Sequence, residues 1–427
     1  MGFRVGKPYA LRLEASPLPE LYYCTVDVEA CINCLACSYV IICPSPKSCV
    51  GCLACYHGCP GMARRLMVDR GLRRAVNIVV NGVTHRVPER ITVKKALELL
   101  GYTFSIYPEK GCLQAPCGTG GCYACSLLVD GELKRACITP IREGMSIETE
   151  VPVDVEPLRI VHGPQPHPVG GKATPWWLKS RGRYIEVAIW TAGCNLRCPQ
   201  CQNWETTYDG RTPPLTPREA ALMVSEARRR YNVDRMAVSG GEPTLNRRWL
   251  INYFKQLKKL NPDEKARLHL DSNGTLLSKD YVDELVNEGG VTDIGLEPKA
   301  VRVETFKRIT GIADTDLAQR LLNTSWEAVK YVVDNYAGRV FLGVGLPYNP
   351  AFVSMEEVYM FGVKLASINP EVQLCVLDYF PAFRRRDITR PSPLEMLKVK
   401  RVLEGTGLKF VVVQTAIGHI GPERRAT

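Results

Sequence analysis

No run of about 18 uninterrupted apolar residues occurs in the chain, so a membrane-spanning helix is not expected. The N-terminus, MGFRVGKPYALRLEASPLPE, lacks the apolar core of an export signal, and the protein reads as cytoplasmic with no membrane partner. Long basic runs are missing too. The net charge of +11, from 55 Lys and Arg against 44 Asp and Glu, gathers in short clusters such as Arg228–Arg230 and Arg384–Arg386, without interleaved aromatics. That pattern suits a solvated face or an acidic protein partner better than a nucleic-acid groove, and no nucleic acid is expected. No internal repeat is evident. Hydrophobic residues at 45% and charged residues at 23% exclude a disordered or fibrous chain. A length of 427 residues suggests about two to four domains.

What the chain has in excess is cysteine, eighteen in all. Without an export signal the thiols stay reduced, which makes metal ligation a better explanation than disulfides. Nine lie between Cys24 and Cys59, five between Cys112 and Cys137, and three between Cys194 and Cys201. Cys375 stands alone in the apolar run VQLCVLDYF, where a buried small hydrophobe is the default.

These groups fall in differently patterned regions. Residues 1–70 hold the first. From 71 to 152, AVNIVVNGVTHRV reads as a hairpin turning at Asn81-Gly82, TVKKALELLG as a helix, and SLLVDGELKRACI as a second hairpin turning at Asp130-Gly131. Residues 153–182, rich in Pro and Gly, read as a linker. From 183 to 427, β-like runs alternate with amphipathic helical windows, which implies an α/β fold with a parallel sheet and helices outside. Thr216-Pro217-Arg218-Glu219 supplies an N-cap, an N1 proline and a capping-box glutamate. About six or seven such units suggest an open or partial β/α barrel.

The stretch CNLRCPQC places Cys194, Cys198 and Cys201 directly after the first strand of the repeated region. A structural zinc or a complete iron–sulfur site takes four protein ligands, so three leave one position open for chemistry. A distorted zinc site and buried structural thiols are the alternatives. The stretch resembles the CxxxCxxC loop of the radical S-adenosylmethionine (SAM) superfamily, whose fold is a partial (β/α)6 barrel. The resemblance implies a [4Fe-4S] cluster on the three cysteines, with SAM chelating the fourth iron. Ser239-Gly240-Gly241-Glu242 resembles the family's GGE motif, which meets the methionine amino group. Asp271-Ser272-Asn273-Gly274 and Glu297-Pro298-Lys299 resemble the D-T-N-G and D-L-K segments of glycyl-radical activating enzymes, and so imply SAM contacts at Asp271, Asn273 and Lys299. Residues 175–415 are similar to the group that includes pyruvate formate-lyase activating enzyme.

Upstream, Cys49-x2-Cys52-x2-Cys55-x3-Cys59-Pro60 has the spacing of bacterial ferredoxins, in which the fourth cysteine serves the other cluster. By that resemblance residues 1–70 form a small α+β dicluster ferredoxin-like domain. One [4Fe-4S] cluster would take Cys31, Cys34, Cys37 and Cys59, the other Cys49, Cys52, Cys55 and Cys43; paired zinc knuckles are the alternative, and Cys24 is unassigned. Cys117-x4-Cys122-x2-Cys125, with Cys137 on a return strand, resembles plant-type [2Fe-2S] ferredoxins of β-grasp fold, Cys112 being a substitute for Cys117 as ligand.

The resemblances together imply a radical SAM oxidoreductase carrying three [4Fe-4S] clusters and one [2Fe-2S] cluster. It would cleave SAM to a 5′-deoxyadenosyl radical that abstracts hydrogen, drawing electrons through its own N-terminal domains from an external donor. The substrate is expected to be a partner protein such as a glycyl-radical enzyme, or a small molecule. A different class is an iron–sulfur electron carrier that only binds SAM. The simplest activating enzymes lack upstream ferredoxin domains, and relatives that have them carry them after the three-cysteine loop, whereas here they precede it.

Overall fold

The computed structural model describes residues 20–107, 109–179 and 183–422; the reading of the N-terminus as lacking an export signal concerns residues 1–19, outside that set. One open sheet of nine described strands organises the larger part of the chain. Seven of them run parallel and in chain order: Glu186–Thr191, Arg235–Gly240, Arg267–Ser272, Asp293–Leu296, Phe341–Tyr348, Gln373–Asp378 and Val411–Thr415. Seven parallel strands fall within the six or seven units read from the sequence and go one past the (β/α)6 barrel that the resemblance implies, because Val411–Val413 pair onto Leu374–Val376. Helices Pro217–Tyr231, Arg247–Leu260, Thr315–Tyr336, Met355–Ile368 and Pro393–Glu404 return the chain between strands. Their starts follow local chemistry. Thr216 and Glu219 form a reciprocal capping box with Pro217 in the first turn, and Asp314, Ser354 and Ser392 each accept from an amide three residues on. The central strands are buried on both faces, all four residues of Asp293–Leu296 among them: helices cover the outer face, and the inner face closes on a buried polar interior. Among the described residues no helix is long and apolar enough to cross a membrane.

The Pro/Gly-rich segment read as a linker is part of this sheet. Val161–His167 pairs antiparallel with Glu186–Thr191, with a register irregularity between His162 and Gln165. Pro164 and Pro166 argued against a strand because proline cannot donate to a ladder, but an edge strand tolerates it. Beyond this strand the chain tucks Gly171–Thr174 beneath the N-terminal ends of the parallel strands. Thr174 Oγ1 donates to Glu186 (3.1 Å), Arg235 donates to the Ala173 carbonyl (3.0 Å), and Gln373 donates to the carbonyls of Lys172 (2.8 Å) and Thr174 (3.0 Å).

Residues 75–148 form a five-stranded mixed sheet with the helix Val93–Leu99 packed on it. Both expected hairpins are present, Ala75–Val80 with Val83–Pro88 and Ser126–Val129 with Glu132–Arg135. Asn81, Gly82, Asp130 and Gly131 all have positive φ, the conformation that two-residue hairpin turns need and that favours Asn, Asp and Gly.

Upstream, Leu21–Val26 pairs antiparallel with Arg64–Asp69, and two short helices, Ala36–Tyr39 and Ala54–Gly58, begin inside the cysteine runs. Here the expectation of no internal repeat is corrected. Cys31–Cys37 (CINCLAC) and Cys49–Cys55 (CVGCLAC) share one backbone course. Asn33 and Gly51 have φ of 49° and 66°, Leu35 and Leu53 φ of 59° and 62°, and a helix starts at Ala36 and at Ala54. A seven-residue unit defined by left-handed positions escapes a search for the 20–50-residue periods of repeat folds.

Candidate functional site

Parallel α/β sheets gather functional groups at the C-terminal ends of their strands, where successive loops converge. At that end lies a cavity of about 200 Å³. It is lined by all three thiols of the 194–201 loop, by Ser239, Gly240 and Gly241, by Asp271, Ser272 and Asn273, and by Glu297, Lys299, Tyr379 and Lys172. A larger groove of about 770 Å³ lies at the opposite end, between Trp177, Tyr184, Tyr231 and Phe341, and no thiol lines it. The chemistry sits in the smaller one. Burial, then neighbouring acidic groups, pushes the Cys194 thiol up to about 12, and burial followed by opposing Lys299 leaves Cys198 also at about 12. Three thiols share the cavity and no fourth cysteine lines it, a donor set that leaves one ligand position for another molecule and so fits a [4Fe-4S] cluster with an open iron.

The glycines are required by close packing within the protein itself. A Cβ on Gly240, whose φ is +119°, would stand 2.3 Å from the Thr191 amide nitrogen, and one on Gly241 would stand 2.2 Å from the Gly193 carbonyl oxygen. The second strand end thus presses directly onto the cysteine loop. Glu242, read from sequence as a cofactor contact, does not line the cavity. Its carboxylate is fully buried and accepts from Thr244 N (3.0 Å), Thr244 Oγ1 (2.7 Å), Ser272 Oγ (2.7 Å) and Asn273 N (2.7 Å), so it staples the second and third strand ends together.

Arg159, missed by the sequence reading, holds the same junction from behind. It is fully buried and donates to the carbonyls of Ala192 (3.0 Å), Glu242 (2.5 Å) and Pro243 (2.6 Å). Replacing it with methionine orphans three buried carbonyls, which each cost roughly 1–3 kcal/mol. Arg159→Met is therefore expected to lower stability by about 3 kcal/mol or more, measured as a fall in the unfolding midpoint.

Lys172 was also missed, because it belongs to the presumed linker. Its ammonium lies 3.3 Å from Asp271 and 3.7 Å from Glu297, while Lys299 pairs with Glu297 and the Tyr379 hydroxyl donates to Glu297 at 3.1 Å. Lys299 has φ of 72°, an unfavourable backbone for a side-chain-bearing residue of the kind that concentrates at functional sites. Burial alone would raise Asp271, but Lys172 and His269 hold it below the usual carboxylate range. The polar interior continues downward through His269, which lies 2.8 Å from Glu186 and 3.3 Å from Asp271, to Arg235, which pairs with Glu186 and Asp293.

Burial by itself would lower the His269 pKa, yet Glu186 and Asp271 raise it from 6.5 to about 9. A group with a raised folded-state pKa stabilises fully below its unfolded value and loses that stabilisation as the pH climbs through the folded one. At about 1.36 kcal/mol per unit the contribution is on the order of 3 kcal/mol. His269→Asn should therefore melt well below the parent at pH 6, and the gap between their midpoints should close as the pH rises past about 9.

The second cysteine group stands behind the cavity wall. Cys117, Cys122, Cys125 and Cys137 are all buried; the Cys117 thiol meets those of Cys122 and Cys137, and Cys125 meets Cys137. Cys112 is only partly buried, and the structure brings Cys117 rather than Cys112 to the other three. A Cβ on Gly193 would stand 2.8 Å from Cys122 Cβ and 3.1 Å from Cys117 Cβ, so one residue separates the two thiol groups in the chain wall. Arg197 ties the loops together, donating to the carbonyls of Cys117 (2.6 Å), Cys194 (2.7 Å) and Leu196 (3.0 Å). Arg384, read as surface charge, is a clamp: its backbone amide donates to Pro199 and its guanidinium to the carbonyls of Tyr56 (2.7 Å), His57 (2.9 Å) and Cys59 (3.0 Å). Arg211 likewise donates to the carbonyls of Cys37 (2.8 Å) and Ile41 (2.9 Å). Both upstream regions that hold cysteine clusters are thus bonded to the region that carries the third.

Residues 188–349 match the Radical SAM superfamily model and residues 73–152 the model of a 2Fe-2S iron-sulfur cluster binding domain. The chain is 31% identical over 144 residues to a probable GTP 3′,8-cyclase of Saccharolobus solfataricus, covering 34% of this chain and 42% of that one. It is 30% identical over 144 residues to another from Methanococcus aeolicus, covering 34% and 46%. The chain therefore spans less than half the length of these relatives. Among solved structures it is similar to coproporphyrinogen III oxidase from Escherichia coli, at 17% identity with 49% of each chain covered and a TM-score of 0.35. The large sheet thus contains a stretch that matches a radical SAM domain and the smaller mixed sheet one that matches a 2Fe-2S ferredoxin-like domain, and both matches support SAM and iron–sulfur clusters as bound groups.

Proposed function

We propose that this chain is a radical SAM oxidoreductase that reductively cleaves SAM and draws its electrons through its own upstream clusters. One observation carries the reading: three thiols, two glycines, Asp271, Asn273 and Lys299 share a single cavity, and Cys117 and Cys122 back onto the wall of that cavity through Gly193. Cys194, Cys198 and Cys201 would hold a [4Fe-4S] cluster, and Cys117, Cys122, Cys125 and Cys137 a [2Fe-2S] cluster. The two ferredoxin-like loops upstream would hold two more [4Fe-4S] clusters. When bound, the open cluster supplies one electron to the SAM sulfonium, giving methionine and a 5′-deoxyadenosyl radical that takes hydrogen from the substrate.

The chain's own residues divide the remaining work. Gly240 and Gly241 offer backbone without side chains beside the cysteine loop. Asp271 and Lys299 present one charge of each sign, suited to the ribose hydroxyls and carboxylate of SAM. Glu242 and Arg159 keep the strand ends in register, and Lys172 bridges the carboxylates of Asp271 and Glu297 from below. The proposed hydrogen donor is a polypeptide, as for glycyl-radical activating enzymes. The floor formed by Gly171–Thr174 fills the N-terminal side of the sheet and leaves the strand C-termini as its way in. The relatives named probable GTP 3′,8-cyclase support a second reading, a nucleotide substrate.

Anaerobically reconstituted, dithionite-reduced protein should release 5′-deoxyadenosine from SAM. Binding of SAM without release, in fully iron-loaded protein, would establish a carrier and overturn the proposal. A glycyl radical signal appearing on an added partner enzyme would support the polypeptide donor; cyclisation of added GTP would replace it with the nucleotide.

A further inference from the structure

The repeated loops CINCLAC and CVGCLAC expose a gap in the ligand set drawn from spacing. Four residues beyond the third cysteine of the second loop stands Cys59, which is buried at 6% exposure. Four residues beyond the third cysteine of the first loop stands Ile41, buried at 1%. Isoleucine fills the equivalent place, and Cys43 comes two residues later, in an exposed position. Cys59 lies close to the first loop: Gly61, two residues on, approaches Ile32 and the Ala30 carbonyl, and Arg64 from the same segment donates to Cys37 Sγ at 3.1 Å. The second loop has no such fourth thiol from the symmetric position.

Cys24 stands there instead. It lies on Leu21–Val26, paired opposite Leu66. Its amide donates to Cys49 Sγ at 3.4 Å, and its thiol meets those of Cys49 and Cys55. The approach is enforced by backbone: a Cβ on Gly51 would stand 2.4 Å from the Tyr22 carbonyl oxygen, so the Cys49–Cys52 turn is pressed against the strand that carries Cys24. Amide-to-sulfur bonds of this kind stabilise thiolates that ligate iron.

We infer that Cys24, and not Cys43, is the fourth ligand of the iron–sulfur cluster held by Cys49, Cys52 and Cys55. The inference rests on the reading of the two upstream loops as cluster-binding. One ligand then comes from a strand that precedes both loops, which makes the Leu21–Val26 pairing a condition of cluster assembly.

The test compares Cys24→Ala with Cys43→Ala in the full-length holoprotein, both in a Cys198→Ala background so that the remaining four-iron signals are the upstream ones. Cys24→Ala should lose about one to four irons per chain, as a four-iron cluster falls to three irons or is lost. One of the two reduced four-iron EPR signals should disappear with them. Cys43→Ala should keep both signals and the full iron content. Loss of a cluster in Cys43→Ala, or its retention in Cys24→Ala, overturns the assignment. The visible circular dichroism of the 2Fe-2S centre reports whether each variant has folded, and Cys24→Ser, of nearly equal volume, separates a ligand defect from a packing one. A Cys198→Ala parent with no four-iron signal would instead overturn the underlying reading of the two loops, before either variant is compared.

Discussion

Replacing Cys198 with alanine is expected to reduce 5′-deoxyadenosine formation to the background of cluster-free protein while leaving the upstream clusters spectroscopically intact. The cavity offers three thiols and no fourth cysteine, so loss of one leaves two ligands, too few to retain a four-iron cluster. Cys198 is the right one to remove. Its thiol stands near Lys299 and Cys201, whereas the Cys194 sulfur accepts from the Leu196 amide and lies against the side chain of Asn273, so changing Cys194 would also disturb the loop and the third strand end. The contacts of Cys117, Cys122 and Arg197 to the loop run through Gly193, Cys194 O and Leu196 O, none of which the substitution touches. Iron analysis should show the loss of about four irons, and cleavage retained by the variant would sink the site assignment.

The parts of this molecule that were legible in its sequence are those in which local chemistry and tertiary need coincide. Asn81-Gly82 and Asp130-Gly131 name their turns because left-handed backbone selects those residues wherever it occurs. The helix beginning at Pro217 is announced by its own capping box, and the central strands by short β-like runs alternating with amphipathic helical windows, the pattern of a parallel sheet buried on both faces. The three-cysteine loop is legible for the same reason: its spacing is local.

What escaped depends on partners distant in sequence. Val161–His167 becomes a strand because an edge accepts its prolines, and an edge position cannot be seen from within the segment. Glu242 is a perfect match to a cofactor motif, yet its carboxylate turns to Thr244, Ser272 and Asn273, and nothing in the order Gly-Gly-Glu-Pro specifies that direction. Arg384 read as surface charge and Arg159 went unnoticed because the carbonyls they satisfy lie 325 and 83 residues away in the chain. Lys172 lies in a stretch whose composition argued for a tether. In each case a polar group is used inside the protein, where its worth is set by what would otherwise be left unpaired.

The other large effect separates electron supply from chemistry. Cys125→Ser is expected to abolish the 2Fe-2S signal and to lower SAM cleavage driven by a reduced flavodoxin-type protein donor by about tenfold or more, a barrier increase of about 1.4 kcal/mol or above. Cleavage driven by dithionite, small enough to reach the open cluster directly, should fall far less. Cys125 suits this purpose because it meets Cys137 in the core of the small sheet, away from the wall shared with the cavity, whereas Cys122 lies against Gly193 and its loss would move that wall. Placement also sets the direction of the argument. The clamps from Arg197, Arg211 and Arg384 fix the upstream thiol loops against the radical SAM loop at three separate points, more than a flexible tether between independent domains would need. If the two donors lose activity equally in Cys125→Ser, the 2Fe-2S centre is structural and the electrons enter elsewhere. If only the protein-driven rate falls, the contact through Gly193 is the route by which this chain reduces its own active site.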